Sequence, residues 1–249
     1  MKYFVLMICA VAGLFFTSTG WSGTIGIPGA VIEQGTYKIS IGVDVEEIEL
    51  VGDNSDNVNE GKVGITRYLA GACYGVSDRL NVFAKAGVAE AYNDHDIQIF
   101  INKGFELDTK PMFGAGFKAT LFEKDNIKVG GVVQASYYKS ERYEEAGYWD
   151  ATFELSMMEY DAALGCSYHA SDKFSPYIGV HYNKIDGEID LVHHVNGSKT
   201  VDVKDDFEEK DSVGIFLGTD MTFNENLGLS LEGRFVNESS FAVNLIFSF

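Results

Sequence analysis

Residues 74–83 read YGVSDRLNVF, a short polar turn between two apolar runs, and this stretch decides the fold. Three later stretches repeat the pattern: LFEKDNIKV at 121–129, YHASDKFSPY at 168–177 and TFNENLGL at 222–229. The acids at the turn centres are spaced by 47, 47 and 53 residues, at Asp78, Asp125, Asp172 and Glu225. A polar turn between strand-like runs is typical of a β-hairpin, and the regular spacing indicates one repeated unit.

Between successive tight turns, the chain passes through an apolar run, a longer acidic connection and another apolar run. Short and long connections therefore alternate, and ten strand-like runs follow. Their approximate bounds are Gly35–Val45, Val63–Val76, Leu80–Ala91, Pro111–Phe122, Ile127–Tyr138, Phe153–His169, Pro176–Asn183, Val213–Phe223, Leu227–Phe235 and Phe241–Phe249. Each run is near the roughly 9–11 residues that a tilted strand needs to cross a bilayer.

Apolar and polar residues alternate within these runs, so one face of the sheet is apolar and carries no charge. The opposite face carries charged residues among Gly, Ser and Thr, at Lys38, Asp44, Arg67, Lys85, Lys118, Lys128, Glu159, Asp161, Asp220, Glu232 and Arg234. In lipid, only a closed sheet pairs all the backbone groups of strands. The pattern predicts an all-β protein, a closed antiparallel up-and-down transmembrane β-barrel of ten strands, with eight as the alternative.

The charged face would line a narrow lumen. Its charges nearly balance, and we expect them to form salt bridges and hydrogen bonds, because an unpaired buried charge costs several kcal/mol. A barrel of about eight to ten strands is largely filled by its own side chains. We therefore expect a polar, largely plugged lumen, with a narrow pore for ions or small solutes as the alternative.

A soluble β-sandwich would also show alternation, but it does not require short and long connections to alternate strictly. Aromatic residues also flank the tight turns, at Tyr74, Phe83, Phe122, Tyr168, Tyr177 and Phe223. An aromatic girdle at one membrane interface predicts this clustering. Both observations favour the barrel.

The N-terminal residues have the layout of a secretory signal: Lys2, an apolar run over 3–16 and small polar residues over 17–20. We expect residues 1–22 to be cleaved and residues 23–249 to form one barrel domain. After the signal, no stretch approaches 18 uninterrupted apolar residues, which argues against a helical membrane protein.

The formal net charge is −18, and nearly all of the excess falls in the long connections between the runs. Residues 184–211 alone hold nine acids and four lysines. A membrane barrel can carry acids in its water-exposed connections, where loosely placed carboxylates could also bind divalent cations. The charge argues against nucleic acid as a partner, because phosphate neutralisation needs clustered Lys and Arg.

Several features together resemble the small outer-membrane barrels of the OmpA-like and opacity-type porin group. They are the signal peptide, the start Gln34-Gly-Thr-Tyr37, the YGVSDRLNVF turn and the ending FAVNLIFSF at 241–249. The resemblance spans the mature chain and implies the bacterial outer membrane. It also implies an assembly signal, read by the barrel assembly machinery, at Phe241, Val243, Leu245, Phe247 and Phe249. OmpA-type barrels have eight strands and many carry a peptidoglycan-binding domain, so ten strands and an end at Phe249 depart from them.

Candidate catalytic groups are sparse. Asp94-His95-Asp96 would lie at the outer rim, but no second Asp–His pair occurs at a matching spacing. Ser167 and His169 share a strand face beside a tight turn, away from the outer leaflet. We expect no enzyme activity, no cofactor and no metal site. Cys73 and Cys166 fall on opposite faces of nonadjacent strands, so we expect no disulfide.

These observations favour a noncatalytic outer-membrane barrel with a structural or surface-interaction role. The narrow pore is the second candidate and a hydrolase at the outer rim is the third. The expected partners are outer-membrane lipid and lipopolysaccharide, the barrel assembly machinery during insertion, and an extracellular ligand of the acidic connections.

Overall fold

A computed structural model describes residues 25–30, 32–52, 60–93, 105–146, 149–195, 198–210, 212–236 and 238–249. In this part of the chain, no helix is long and apolar enough to cross a membrane. The expected signal peptide, residues 1–22, lies outside the described residues, as does Asp94-His95-Asp96.

The described residues form twelve strands. Their bounds are β1 Tyr37–Gly52, β2 Glu60–Ser77, β3 Leu80–Asn93, β4 Phe105–Glu106, β5 Lys110–Lys124, β6 Ile127–Ala146, β7 Trp149–Tyr168, β8 Phe174–Val195, β9 Ser198–Glu209, β10 Val213–Asn224, β11 Leu227–Phe235 and β12 Glu238–Ser248. Tight turns at one end of the sheet join β2 to β3, β5 to β6, β7 to β8 and β10 to β11.

Ten of these strands form the closed antiparallel barrel, and each of the ten overlaps one of the runs predicted from the sequence. Each pairs with its neighbour in the chain, apart from the short interruptions at β4 and β9. β12 pairs with β1 from Lys38↔Ser248 to Ile48↔Glu238, which closes the sheet. Ten strands are therefore confirmed, and the eight-strand alternative is wrong.

The strands β8 and β9 extend the barrel at the end opposite the tight turns, which we call the outer end. The first half of β8 pairs with β10, whereas its second half, from Asp186, pairs with β9. The last residues of β9, 207–209, then pair with residues 50–52 of β1. At this height β9 takes the place of the three strands β10, β11 and β12, so the sheet narrows. The connection predicted between the seventh and eighth runs is thus largely a β-hairpin.

In the part of the barrel nearer the tight turns, the predicted apolar face lies on the outside and carries no charged residue. Two belts of exposed aromatic residues bound it. The belt at the turn end contains Tyr37, Tyr74, Phe122, Tyr168, Phe174, Phe223 and Phe249, and the outer belt contains Tyr68, Tyr137, Tyr160 and Tyr182. Two such belts around an apolar band are typical of a barrel that spans a bilayer.

Phe83 and Tyr177 do not belong to the girdle in which the sequence placed them. Both side chains point into the lumen, where Tyr177 is buried and Phe83 packs against buried residues. The reason is strand parity: Phe83 is one residue from the outward Val82, and Tyr177 is one residue from the outward Ile178.

Candidate functional site: a filled lumen and an acidic outer face

The chain just before β1 enters the barrel from the turn end and lies inside the lumen. We call its described residues, 25–30 and 32, the lumenal segment. Ile25, Ile27 and Ile32 are buried there, and Ile25 and Ile27 pack with Val132, Ala163 and Phe216 of the barrel wall. The sequence analysis did not anticipate this segment, because two alternating isoleucines between glycines give no strand or turn pattern.

The barrel wall provides hydrogen-bond partners for backbone groups of the lumenal segment, which pairs with no strand among the described residues. The Glu232 carboxylate accepts the N–H groups of Ile25 and Gly26, at 2.7 and 2.6 Å. The Lys118 ammonium donates to the carbonyl of Ile25 at 2.6 Å and of Ile27 at 3.4 Å. Buried backbone groups need such partners, so these side chains hold the segment in one position.

Two further wall residues hold the second half of the segment. Asn81 accepts the N–H of Ile32 at 3.2 Å and donates to its carbonyl at 3.0 Å. Thr120 accepts the N–H of Ala30 at 3.0 Å. Gly29, at a positive φ of 110°, lies directly against Gly130 of β6, where a side chain on Gly130 would collide with it.

Above the lumenal segment lies an ion-pair network that we call the central cluster. Arg67 contacts Glu46, and lies 3.3 Å from Asp44 and 3.0 Å from Glu159. All four side chains are buried. One guanidinium with five N–H donors can serve several carboxylates, which explains how a single arginine joins three strands.

Arg234 is the second hub of the central cluster. Its guanidinium lies 3.4 Å from Asp161, 3.4 Å from Glu232 and 3.1 Å from Glu238. Neutral groups complete the network: Gln134 donates to Asp161 at 2.7 Å, and Ser136 donates to Glu159 at 3.3 Å. His181 is buried beside Glu238, with 3.7 Å between its Nε2 and the carboxylate.

The structure brings six of the residues of the predicted lumen network into the central cluster: Asp44, Arg67, Glu159, Asp161, Glu232 and Arg234. Sequence reasoning missed Glu46, Glu238 and His181. Glu46 lies one residue beyond the predicted end of the first run, and Glu238 lies in the predicted ninth connection. Both have the parity of the inward positions on their strands, so extending the alternation by a few residues would have found them.

The other predicted lumen residues lie apart from the central cluster. Lys85 reaches Gln134 at 3.4 Å, and Lys118 holds the lumenal segment. Lys38 and Asp220 line a cavity beside that segment. Lys128 pairs with Glu123 at 3.1 Å near a tight turn, because its strand begins there and its inward position is already at the mouth of the barrel.

The outer part of the lumen is apolar, contrary to the prediction of a polar interior throughout. Its buried side chains form the outer core: Ile48, Val63, Ile65, Ala89, Ala91, Leu107, Met112, Tyr138, Leu155, Met157, Ile185 and Phe207. The physical reason is a change of surroundings along the strands. Where lipid surrounds the barrel, the apolar face points outward, whereas a sheet surrounded by water buries its apolar face inside.

The outside of the same region carries rows of carboxylates across neighbouring strands. Glu141 of β6 faces Glu154 of β7, which faces Asp190 of β8. On β8 and β9, Asp186 faces Glu208 and Glu188 faces Asp206. We call the outward carboxylates of these rows the acidic face: Glu141, Glu154, Asp186, Glu188, Asp190, Asp206 and Glu208.

Lysines pair with some acids of this face. Lys139 lies 2.7 Å from Glu154, Lys184 lies 2.6 Å from Asp186, and Lys204 lies 2.7 Å from Glu188. The hydrogen bond to Glu188 raises the pKa of Lys204. The hydrogen bond from Lys110 lowers the pKa of Glu141.

The remaining candidates for chemistry do not form a site among the described residues. His169 hydrogen-bonds the Ser175 hydroxyl at 2.7 Å, and Ser167 is buried with its side chain toward the lumen. No group of three His, Cys, Asp or Glu residues in the described part of the chain could hold a metal ion. Cys73 and Cys166 are free thiols.

Comparison with known proteins agrees with this architecture. The outer membrane protein beta-barrel domain family matches residues 101–245, more than half of the chain. No curated protein matches the chain in sequence. The outer membrane protease OmpT from Escherichia coli is similar in structure with a TM-score of 0.50 and 11% identity, over 88% of this chain and 99% of OmpT. The translocator domain of the autotransporter NalP from Neisseria meningitidis gives 0.51 and 10%, over 100% of this chain and 95% of the domain. At these identities the likeness shows the fold alone.

Proposed function

Because the chain belongs to the outer membrane protein beta-barrel domain family and its barrel lies in the bacterial outer membrane, we propose that it is a closed, noncatalytic barrel that presents the acidic face outside the cell. Its turn end then lies in the periplasm, since short turns face the periplasm in such barrels. The apolar band contacts outer-membrane lipid, and the last strand, with Phe241, Val243, Leu245, Phe247 and Phe249, serves the barrel assembly machinery during insertion. The acidic face is the surface that binds a partner.

The filling of the lumen supports a closed barrel. The lumenal segment, the central cluster and the outer core occupy successive levels from the periplasmic to the outer end. Water and ions would have to pass all three. An apolar core packed as closely as a protein interior excludes both, so the outer core alone is sufficient to stop conduction.

The acidic face is the observation that supports a surface-interaction role. Like charges directly opposite one another on neighbouring strands destabilise a sheet, each pair by a few tenths of a kcal/mol or more. Glu141, Glu154 and Asp190 form three in a row, and Asp206 faces Glu188. A chain that keeps such an arrangement has a surface of strongly negative potential, which attracts a cationic partner from solution.

A fluorescent oligolysine peptide tests this role on protein reconstituted in neutral lipid. Asp190, Asp206 and Glu208 have no ion pair among the described residues, so the triple variant Asp190→Asn, Asp206→Asn, Glu208→Gln removes charge without leaving a lysine unpaired. We expect the peptide to bind the variant about 10-fold more weakly, at roughly 0.5 kcal/mol for each exposed charge.

The matched control removes three acids from the tight turns, as Asp125→Asn, Asp172→Asn, Glu225→Gln. It has the same net charge as the first variant, and we expect wild-type affinity for peptide added at the outer side. Binding by the wild type should also weaken as ionic strength rises from about 0.01 to 0.15 M. Equal affinity of the two triple variants would show that the acidic face is not the binding surface.

A further inference from the structure

A cavity of about 160 Å³ lies inside the barrel, between the lumenal segment and the barrel wall, to which β1, β2 and β3 contribute most of the lining. Ile25, Gly26, Ile27 and Ile32 of the segment form one side of it. Lys38, the second residue of β1, lies at its periplasmic end. Because the outer core closes the lumen above, the cavity is accessible to a ligand from the periplasm only.

Three lysines and one carboxylate line the cavity: Lys38, Lys85, Lys118 and Asp220. Among the described residues, no carboxylate lies within 4.0 Å of any of the three ammonium groups. Lys118 donates to backbone carbonyls and Lys85 to the neutral Gln134. These neutral partners satisfy the donors, whereas the carboxylates that balance the charge lie farther away, and a charge without a directly contacting partner is costly away from bulk water.

Apolar side chains form part of the lining near these lysines, beside the polar side chains of Ser40, Gln134, Ser230 and Asn244. Leu69 and Phe83 of the wall face Ile27 of the segment across the cavity, and the Lys118 ammonium lies 5.8 Å from the centre of the Phe83 ring. An apolar cavity of about 150 Å³ in another protein accommodates benzene, so an apolar group about the size of one aromatic ring fits this cavity. The lining thus combines positive charge with an apolar wall.

We infer that this cavity binds a small organic anion, a carboxylate on an apolar body of about one ring, taken from the periplasm. The carboxylate lies between Lys38 and Lys118, and the apolar body packs on Leu69, Phe83 and Ile27. Because the lumenal segment forms part of the wall, the bound anion also holds the segment in place. This site is independent of the acidic face.

Cys73 of β2 provides a local probe, because this residue lines the cavity. In a Cys166→Ser background, a small thiol reagent is applied to the purified mature protein in nonionic micelles, with and without benzoate. If benzoate binds with a Kd of about 1 mM, about 10 mM benzoate occupies roughly nine sites in ten. We expect Cys73 to react about 10-fold more slowly under those conditions.

Two variants should abolish this protection. Lys38→Gln removes a charge, and Gly71→Leu fills the cavity, because a side chain at Gly71 meets only the Ser40 hydroxyl, at 2.8 Å, and the Ala84 carbonyl, at 3.6 Å. Lys128→Gln, a lysine outside the cavity, should retain it. Overturning results are no protection of the wild type, equal protection by neutral benzamide, or undiminished protection in Lys38→Gln. Any of these would mean that the three lysines only balance the carboxylates of the central cluster.

Discussion

Replacing Arg67 by methionine should lower the free energy of unfolding by about 3–5 kcal/mol, because three buried carboxylates lose the cation that joins them. Arg67 contacts Asp44, Glu46 and Glu159, and all four side chains are buried. With a urea dependence of about 2 kcal/mol per M, the unfolding midpoint should fall by roughly 2 M. The folded fraction at each urea concentration can be read from unboiled gels, on which folded barrels migrate differently from unfolded chains.

The matched control for Arg67→Met is Lys204→Met, which breaks an exposed ion pair. Lys204 is 60% exposed and lies 2.7 Å from Glu188, so its loss should change stability by less than about 1 kcal/mol. Arg67→Lys should fall between the two, because an ammonium keeps the charge but cannot contact three carboxylates in the same geometry. If Arg67→Met unfolds at the same urea concentration as Lys204→Met, the central cluster does not stabilise the barrel.

Gly130→Val should expel the lumenal segment from the barrel. A side chain at Gly130 would collide with Gly29 of the segment and would lie 2.7 Å from the Ala119 carbonyl. The segment buries three isoleucine side chains, each of which contributes about 1.5–3 kcal/mol. Its amide protons should therefore exchange at least on the order of 10³ times more slowly in the wild type than in the variant.

Hydrogen exchange followed by mass spectrometry measures this on a peptide covering residues 25–36. Gly131→Val is the control, because Gly131 is adjacent in sequence but faces outward, with the Ala163 carbonyl and Leu164 at 3.2 Å from its added carbon. We expect slow exchange of the peptide in Gly131→Val. If the peptide exchanges as fast in the wild type as in Gly130→Val, the segment does not occupy the lumen.

The sequence predicted the membrane part of the barrel well, because there the period of two is enforced on both faces. Each strand must show apolar side chains to lipid, so the facing of Tyr68, Phe117 and Leu164 could be assigned from parity alone. The closed ten-strand sheet follows from that parity and from the four tight turns. The pairing of β12 with β1 confirms that the last predicted run forms the strand that closes the barrel.

The parts that could not be predicted lie where this rule changes. Above the membrane the strands bury apolar residues inside, so Ile48 and Ile65 form the outer core although their positions continue the polar face. The β8–β9 hairpin was hidden because Asp186, Glu188 and Glu208 resemble a solvated loop. The lumenal segment was hidden because its partners are distant in the chain, from Asn81, 49 residues beyond Ile32, to Glu232, 207 residues beyond Ile25.

Recording of purified mature protein in a planar lipid bilayer tests the closed lumen most directly. Because three levels of packing fill the barrel, we predict no discrete conductance steps from the wild type, and none from Gly130→Val, in which the outer core remains. The refolded state of each sample is checked beforehand on unboiled gels. Uniform, reproducible conductance steps from the wild type would contradict a closed barrel and would establish the narrow pore instead.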